Sequence, residues 1–419
     1  MKNRLLIVTR RFYPHGDATS SVLENFINEL KKYDVYIHVM SLTSYKEDEE
    51  VRCWGDIKIT NVYVPETMDL QQLRSELDDS LISWITVFKY IIDKIKTRFL
   101  PSCRKYSLDH ALLKGFKKLF NIIKNKNEYD LCLVTLMPHE ALWVMRWCKN
   151  RIPYVVYQLD AYWNNSVYPP KYTKYRKNLE IDIINSSLFT LTTPLVYKSL
   201  DNYTNELMKK LVPVEFPLIT ETEVDDFEYD DGLTHCVFLG TLYPTIRPPE
   251  KIVSIVAEIK EKYICFDFYG RKLNLIESAS KYEVAKNIIN IKGTIESELA
   301  KTVRNKADVL VNIDNTNLTQ VPSKIFEYIS TGKPIINFYF DDRSPILDYL
   351  KLYPLSLSIN VNSESYEKSA QRIVDFINEK AHSRLLFDQT KSIFYKCTPE
   401  YVVVKFINMM KENDVWKDG

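Results

Sequence analysis

The stretch Val321 to Ile336, VPSKIFEYISTGKPII, places a serine, a lysine and a glutamate where a short helix would begin. Ile325, Phe326 and Ile329 supply an apolar stripe at helical spacing, and Pro322 suits a first helical turn. Gly332 and Pro334 then stop the helix ahead of an apolar strand, PIINFYF. Ser323, Lys324 and Glu327 are surplus to that packing. The free amides and partly positive end of such a helix favour a phosphate, and Lys324 adds a cation. Glu327 falls one turn from Ser323 on the same face, where its carboxylate would repel phosphate but accept hydrogen bonds from vicinal sugar hydroxyls. Phosphate at the helix end and a diol one turn along describe a nucleoside diphosphate. The plainer alternative is a surface helix whose glutamate is favoured by the macrodipole. Arg247, in FLGTLYPTIRPPEKI, is the first lysine or arginine after Lys210. A planar, permanent cation there suits a diphosphate leaving group; a solvated loop arginine is the alternative.

The elements that must position these residues alternate. RLLIVTR, VYIHVMSL, DLCLVTLM, PYVVYQLD and SLFTLTTP read as strands separated by helical stretches, and the alternation restarts with THCVFLG, ICFDFYG, IINIKG, ADVLVNI and PIINFYF. The fold class expected is α/β: two tandem Rossmann-like, doubly wound domains with a cleft between them. Residues 215 to 231 carry eight acids and no base, a shift in composition that marks a linker. The expected organisation is an N-terminal domain over 1–214, with a basic helical insertion at 84–128, and an acidic linker over 215–233. A second domain over 234–398 follows, then a C-terminal helix over 399–419 that could pack back on either domain. Gly240, Gly270 and Gly293 fall at strand ends of the second domain, on the rim where open α/β sheets bind ligands.

Composition narrows the class. The chain has 419 residues, 45% hydrophobic and 26% charged, with a formal net charge of +1. Two soluble domains fit this length, and no global field draws the chain to nucleic acid. Seven cysteines are scattered with no Cys-x-x-Cys pair, so a reducing cytoplasm is expected and a zinc site is not. Cys132 and Cys265 lie in apolar strands and read as buried thiols. The apolar run near the N-terminus is short for a signal peptide, and no apolar run reaches the length of a membrane span.

From about 235 to 350 the chain resembles the donor domain of nucleotide-sugar glycosyltransferases of the GT-B fold, family 4, of the type that builds capsules and surface polysaccharides. FLGTLYPTIRPPEKI resembles that family's loop after the first strand, and IKGTIESELAKTVRNKADVLVNI its base-binding turn and following helix. VPSKIFEYISTGKPII is the most specific segment, and LLIVTRRFYPHGDATSSVLENFINEL is a weaker match to the family's opening strand, loop and helix. The resemblance implies sugar transfer from a nucleotide-diphosphate donor to a lipid-linked or oligosaccharide acceptor, with retention of configuration and with no metal or other cofactor. It implies donor contacts from Gly240, Thr241, Gly270, Gly293, Thr294, Ser323, Lys324 and Glu327, with Arg247 and Glu327 catalytic. Two positions depart from the pattern: Thr241 stands where the family carries an arginine, and Thr319 where it carries a first glutamate.

In the N-terminal half, Gly16 matches a glycine-bearing loop of the family, or is an ordinary turn glycine. His139, in LMPHEAL, would hold acceptor or donor sugar in a catalytic role, or be structural. Asp160, in YQLDAYW, would be a base or acceptor ligand, or a turn cap. The segment Lys89 to Lys126 holds eleven Lys or Arg against two acids, interleaved with aromatics; Trp84 precedes it. A basic amphipathic helix pair suits an anionic membrane surface, here the inner face for a peripheral protein; a solvated insertion is the alternative, and the balanced net charge disfavours nucleic acid. Two rival functions are carried: a catalytically inactive nucleotide-sugar-binding partner subunit, motivated by Thr241 and Thr319, and a GT-B nucleotide-sugar epimerase. A dehydrogenase is disfavoured because no Gly-x-Gly-x-x-Gly follows the first strand.

Overall fold

The computed structural model describes residues 3–64, 81–123, 128–137, 139–146, 152–165, 168–200, 203–221, 229 and 231–416. The chain forms two compact units, Met1–Pro217 with Pro399–Gly419, and Leu218–Thr398. Two readings from the sequence fall partly outside the described residues: the linker at 222–228 and 230, and the end of the basic insertion at 124–127. The side chain of Trp84 also lies outside them.

The first unit is built on β1 (Asn3–Val8), β2 (Val35–Thr43), β3 (Val51–Trp54), β4 (Ile57–Tyr63), β5 (Leu131–Thr135), β6 (Tyr154–Gln158), β7 (Thr190–Thr192) and β8 (Leu211–Pro213). They lie in the order β3-β4-β2-β1-β5-β6-β7-β8, parallel except for β3 against β4. The central strands are buried on both faces, which is why β1 and β5 read as unbroken apolar runs. After β1 the chain turns at Gly16 into the Ala18–Leu30 helix, capped by Asp17, whose Oδ1 accepts from the amides of Thr19 and Ser20. A Cβ on Gly16 would come within 2.8 Å of Ser20 Cβ, so close packing against the first helical turn explains the glycine.

The C-terminal helix Pro399–Glu412 belongs to this first unit. Phe406 meets Phe26 edge to face at 5.3 Å, and Lys405 Nζ donates to the Pro213 carbonyl at 2.8 Å. Within the basic insertion, the His110–Ile122 helix buries Phe116 and Leu119 in the core. The Leu81–Phe99 helix is held to it through buried Asp93, which accepts from His110 Nδ1 at 2.7 Å and from Lys114 Nζ at 2.9 Å. Among the described residues no helix is long and apolar enough to cross a membrane.

The second unit carries β9 (Thr234–Thr241), β10 (Ile264–Arg271), β11 (Ile289–Gly293), β12 (Val309–Ile313), β13 (Ile335–Tyr339) and β14 (Ser356–Asn360). All are parallel, in the order β11-β10-β9-β12-β13-β14. Counted from β9 this is 3-2-1-4-5-6, the Rossmann order, with its switch point between β9 and β12. The core packs Phe238, Phe266, Phe268 and Phe338 against Ile252, Ile373 and Ile377 of the flanking helices.

The described start of the expected linker is packed. Phe216, Leu218 and Ile219 are buried, Thr220 N donates to Ser330 Oγ at 3.2 Å, and Ile219 N donates to the Cys397 carbonyl at 3.0 Å. Acidity marks residues 221 to 231, whereas the apolar residues before them are packed, and the division between units falls at Pro217 and Leu218.

Candidate functional site

Three glycines shape the carboxyl ends of adjacent strands in the second unit. Gly270 has φ +136, and a Cβ there would lie 1.6 Å from the Gly240 carbonyl oxygen, so β9 and β10 reach this separation only without a side chain. Gly293 ends β11 with φ +79, and the next residue, Thr294, donates its hydroxyl to the Gly270 carbonyl at 3.0 Å. Thr241 is half-buried at the end of β9.

Across the switch point, the loop after β12 is stitched to the loop after β9. Thr316 donates its amide to the Ile246 carbonyl and its hydroxyl to the Thr245 carbonyl, both at 2.8 Å. Arg247 Nε donates to Asn315 Oδ1 at 2.8 Å, and Arg247 N to the Tyr243 carbonyl at 2.9 Å. Burial lowers the Arg247 pKa, opposed by Asp314, Tyr328 and Tyr243. Asp314, buried beneath, accepts from Asn315 N at 2.7 Å and from Ser344 Oγ. Burial pushes its carboxyl up to about 6, while those hydrogen bonds and Arg247 pull it the other way.

The helix that follows spans Lys324–Ser330, later and shorter than a helix opening at Pro322. Ser323 is its N-cap but makes no side-chain capping bond, and the amides of Ile325 and Phe326 donate to the carbonyls of Pro322 and Ser323. Two amides expected to face a ligand are therefore spent within this tight turn. Side chains, more than the helix end, carry the positive charge here. The helix is anchored by buried Tyr328, whose hydroxyl accepts from Leu239 N at 3.3 Å, tying it to β9.

Glu327 is not alone on its face. Its Oε2 accepts from Arg304 Nη1 at 2.7 Å, with side-chain exposures of 31% for Glu327 and 13% for Arg304. Arg304 lies on the Ser297–Lys306 helix. Nothing in its sequence context, TVRNK, separates it from its basic neighbours; only the fold brings it to Glu327. Lys324 is exposed by area, yet its base is partly desolvated. That desolvation lowers its pKa, as do the charges of Arg304 and Arg247, while Glu327 raises it. Arg247, Arg304, Lys324 and Glu327 thus form one electrostatic cluster beside the switch point. Thr319 lies in the loop before it, donating its amide and hydroxyl to Asn317 Oδ1 at 2.9 and 2.7 Å.

In the first unit the structure buries His139, 2% exposed, rather than presenting it on an open rim. Its ring lies 4.1 Å from that of Tyr162, and its Nε2 is 2.9 Å from the Tyr106 carbonyl, to which it must donate. Nδ1 is then the unprotonated nitrogen, and burial lowers the ring's pKa. Asp160 lies two residues past β6, half-buried and within electrostatic reach of Tyr168. A residue not anticipated is Glu180, on the Thr173–Ser186 helix. It accepts from Gln158 Nε2 at 2.9 Å and from Trp163 N at 3.1 Å, and burial pushes its carboxyl up to about 7. Its signal in the sequence is a glutamate on the apolar face set by Leu179, Ile183 and Ile184.

No protein-family model and no curated protein matches the chain. Among solved structures it is similar to sucrose-phosphate synthase from Thermosynechococcus elongatus, at 13% identity and TM-score 0.64, covering 98% of this chain and 99% of that one. It is also similar to a mutant of S. aureus TarM in complex with Fondaparinux, alpha-GlcNAc-glycerol and UDP, at 11% identity and TM-score 0.60, covering 97% and 99%. A third similar structure, a trehalose-6-phosphate protein from E. coli bound with UDP-2-fluoro glucose, has 10% identity and TM-score 0.55, covering 98% and 99%. These likenesses establish the fold, two Rossmann-like units of the GT-B class.

Proposed function

We propose that the chain is a glycosyltransferase whose second unit holds the nucleoside diphosphate of a sugar donor. The observation that carries this reading is the gathering of Arg247, Arg304 and Lys324 around Glu327 at the Rossmann switch point. Three cations near one carboxylate suit a diphosphate, and a switch-point crevice is where such sheets take nucleotides. Arg304 occupies one oxygen of Glu327, leaving Oε1 to accept from a ribose diol. Arg247 neutralises charge on the departing diphosphate as the anomeric C–O bond breaks. The acceptor hydroxyl forms the new bond to the anomeric carbon and gives its proton to the leaving phosphate oxygen, with retention of configuration. Cationic side chains meet the phosphate charge, so this reading needs no metal at the site. Two structural neighbours hold UDP or a UDP-sugar analogue, which makes a uridine nucleotide the first to try.

For the acceptor we favour a lipid-linked glycan of a surface polysaccharide, met at an anionic membrane face. On the Leu81–Phe99 helix, Phe88 and Phe99 are each 65% exposed, and Ile91 and Ile95 about half exposed, along one face. Lys89, Lys94, Lys96 and Arg98 flank that stripe. An exposed apolar stripe between basic residues matches an interfacial helix better than a solvated one. Full-length protein should co-sediment with vesicles containing anionic lipid, and Phe88→Asp with Phe99→Asp should abolish this; equal binding by the double variant would remove the membrane role.

The donor reading is tested by thermal stabilisation with nucleoside diphosphates and their sugars. A ligand at about a hundred times its Kd should add about 2.7 kcal/mol and raise Tm by a few degrees, with loss in Arg247→Ala. No stabilisation across the panel would overturn it. One observation favours a second reading, a donor-binding subunit without turnover: Thr319 offers no charge where the family resemblance places a glutamate, and its hydroxyl is committed to Asn317. Tight donor binding without sugar transfer to any lipid-linked acceptor would select that reading.

A further inference from the structure

We propose that the amino-terminal edge of the second unit's sheet is a binding site for one thiophilic divalent metal ion, zinc in character, held by His235 Nδ1, Cys265 Sγ and Asp267 Oδ2. The sheet itself brings these residues together. Cys265 on β10 pairs with His235 on β9, and Asp267 is two residues along, so all three project from one face. Their ligand atoms lie within 4.8 Å of one another, the one such grouping of His, Cys, Asp or Glu among the described residues. The side chains are nearly closed to solvent, with His235 5%, Cys265 4% and Asp267 1% exposed.

The surroundings are those that orient metal ligands. His235 Nε2 lies 3.1 Å from Asp231 Oδ2; donation to that carboxylate leaves Nδ1 as the inward lone pair. Asn290 Nδ2 donates to Asp267 Oδ1 at 2.9 Å, leaving Oδ2 for the ion. The Tyr229 ring stacks on the imidazole at 3.7 Å, and Lys292 Nζ stands 3.8 Å from Asp267 Oδ1 as a competing cation. His235 Nδ1 is 2.6 Å from Asp267 Oδ2 and 3.3 Å from Cys265 Sγ. Tetrahedral zinc would set these separations at about 3.3 and 3.6 Å, within reach of small side-chain rotations. A nitrogen, a thiolate and a carboxylate form a borderline-soft set that favours zinc over magnesium or calcium.

Burial pushes the Cys265 thiol up to about 12. On binding one divalent ion the thiol gives up its proton to solvent, and a water completes the coordination. The site is about five residues along β9 from Gly240, or about 16 Å, so it braces the sheet and leaves the nucleotide cluster untouched.

The test is a cobalt(II) titration of tag-free, chelator-treated full-length chain. We expect one equivalent bound, with tetrahedral d–d absorption and a thiolate-to-metal charge-transfer band, and displacement by zinc. Cys265→Ser should lose the charge-transfer band, while Cys53→Ser keeps it. Asp231→Asn, at an exposed position, should weaken binding about 10–100-fold while remaining folded by circular dichroism, which decides the matter if Cys265→Ser does not fold. Absence of the band in the parent protein, its persistence in Cys265→Ser, or unchanged affinity in Asp231→Asn would overturn the proposal.

Discussion

Asp314 offers the most direct test of the electrostatics beneath the candidate nucleotide site. The carboxyl is buried next to Arg247 and is held up to about 6 by desolvation, against hydrogen bonds from Ser344 and Asn315. In an unfolded chain an aspartate titrates near about 3.9. Between the two values the folded protein keeps a proton that the unfolded chain has lost. Stability therefore falls as pH rises through this window and is level above about pH 6. The gap of about two pH units, at about 1.4 kcal/mol each, amounts to about 3 kcal/mol of lost stability at neutral pH. Asp314→Asn removes the titration while keeping an oxygen for Ser344, at a pH-independent cost of about 1–2 kcal/mol for the weaker hydrogen bonds. The variant should gain about 2 kcal/mol relative to the parent protein between about pH 4.5 and pH 7.5. Urea unfolding followed by far-UV circular dichroism reads this difference. All six tryptophans lie outside Leu218–Thr398, so tryptophan fluorescence identifies the other unit's transition separately. A variant-minus-parent stability difference that is the same at both pH values, or more positive in acid, would refute the burial argument.

Gly270→Ala should cost well over about 3 kcal/mol or yield no soluble protein, since its Cβ would collide with the Gly240 carbonyl, whereas Gly232→Ala, at φ +72 with nothing within 4 Å, should cost only about 1 kcal/mol. Urea midpoints of the two variants check the contrast, and equal losses would show that close strand approach is not what Gly270 serves. Arg304→Met leaves the partly exposed Glu327 carboxylate without its hydrogen-bond partner and should cost about 1–2 kcal/mol, less than a fully buried pair because Glu327 meets solvent. Adding Glu327→Gln should recover part of that loss, and a double-mutant cycle with no coupling would mean the pair is incidental.

The sheets were legible because strands covered on both faces must be apolar throughout, as in LLIV of β1 and LVT of β5. The segment VPSKIFEYISTGKPII was legible because its punctuation is physical: Gly332 takes φ +71, and a Cβ there would lie 2.1 Å from the Leu385 carbonyl. What stayed hidden depends on which elements touch. Arg304 and Glu327 are 23 residues apart on separate helices, and His235 meets Cys265 across 30 residues through strand register alone. Spacing along the sequence reads only metal ligands that share one loop or helix, so scattered cysteines leave a cross-strand grouping such as this one unread. His139 shows the opposite limit: its place after β5 was visible, but closure of Tyr162 over its ring was not. The Leu81–Phe99 helix has an apolar periodicity that suits a core face or a surface stripe equally. Asp93 decides between them, since its bonds to His110 and Lys114 turn the acidic side inward and leave Phe88 and Phe99 outside.

A formal net charge of +1 says nothing about where charge is concentrated. Beside the switch point, Arg247, Arg304 and Lys324 face Glu327 and, underneath, Asp314. A purely structural cluster would pair each cation with a carboxylate. Here Arg304 takes Glu327, Arg247 takes the neutral amide oxygen of Asn315, and desolvation first, then the charges of Arg304 and Arg247, loosen the proton on Lys324. Like charges held this close destabilise one another by an amount that an incoming dianion would reverse. The lowered pKa of Lys324 comes first from desolvation, and the charges of Arg304 and Arg247 add to it against Glu327. The same displacement should turn upward when a nucleoside diphosphate binds, a change that the pH dependence of binding would register as proton uptake on the alkaline side.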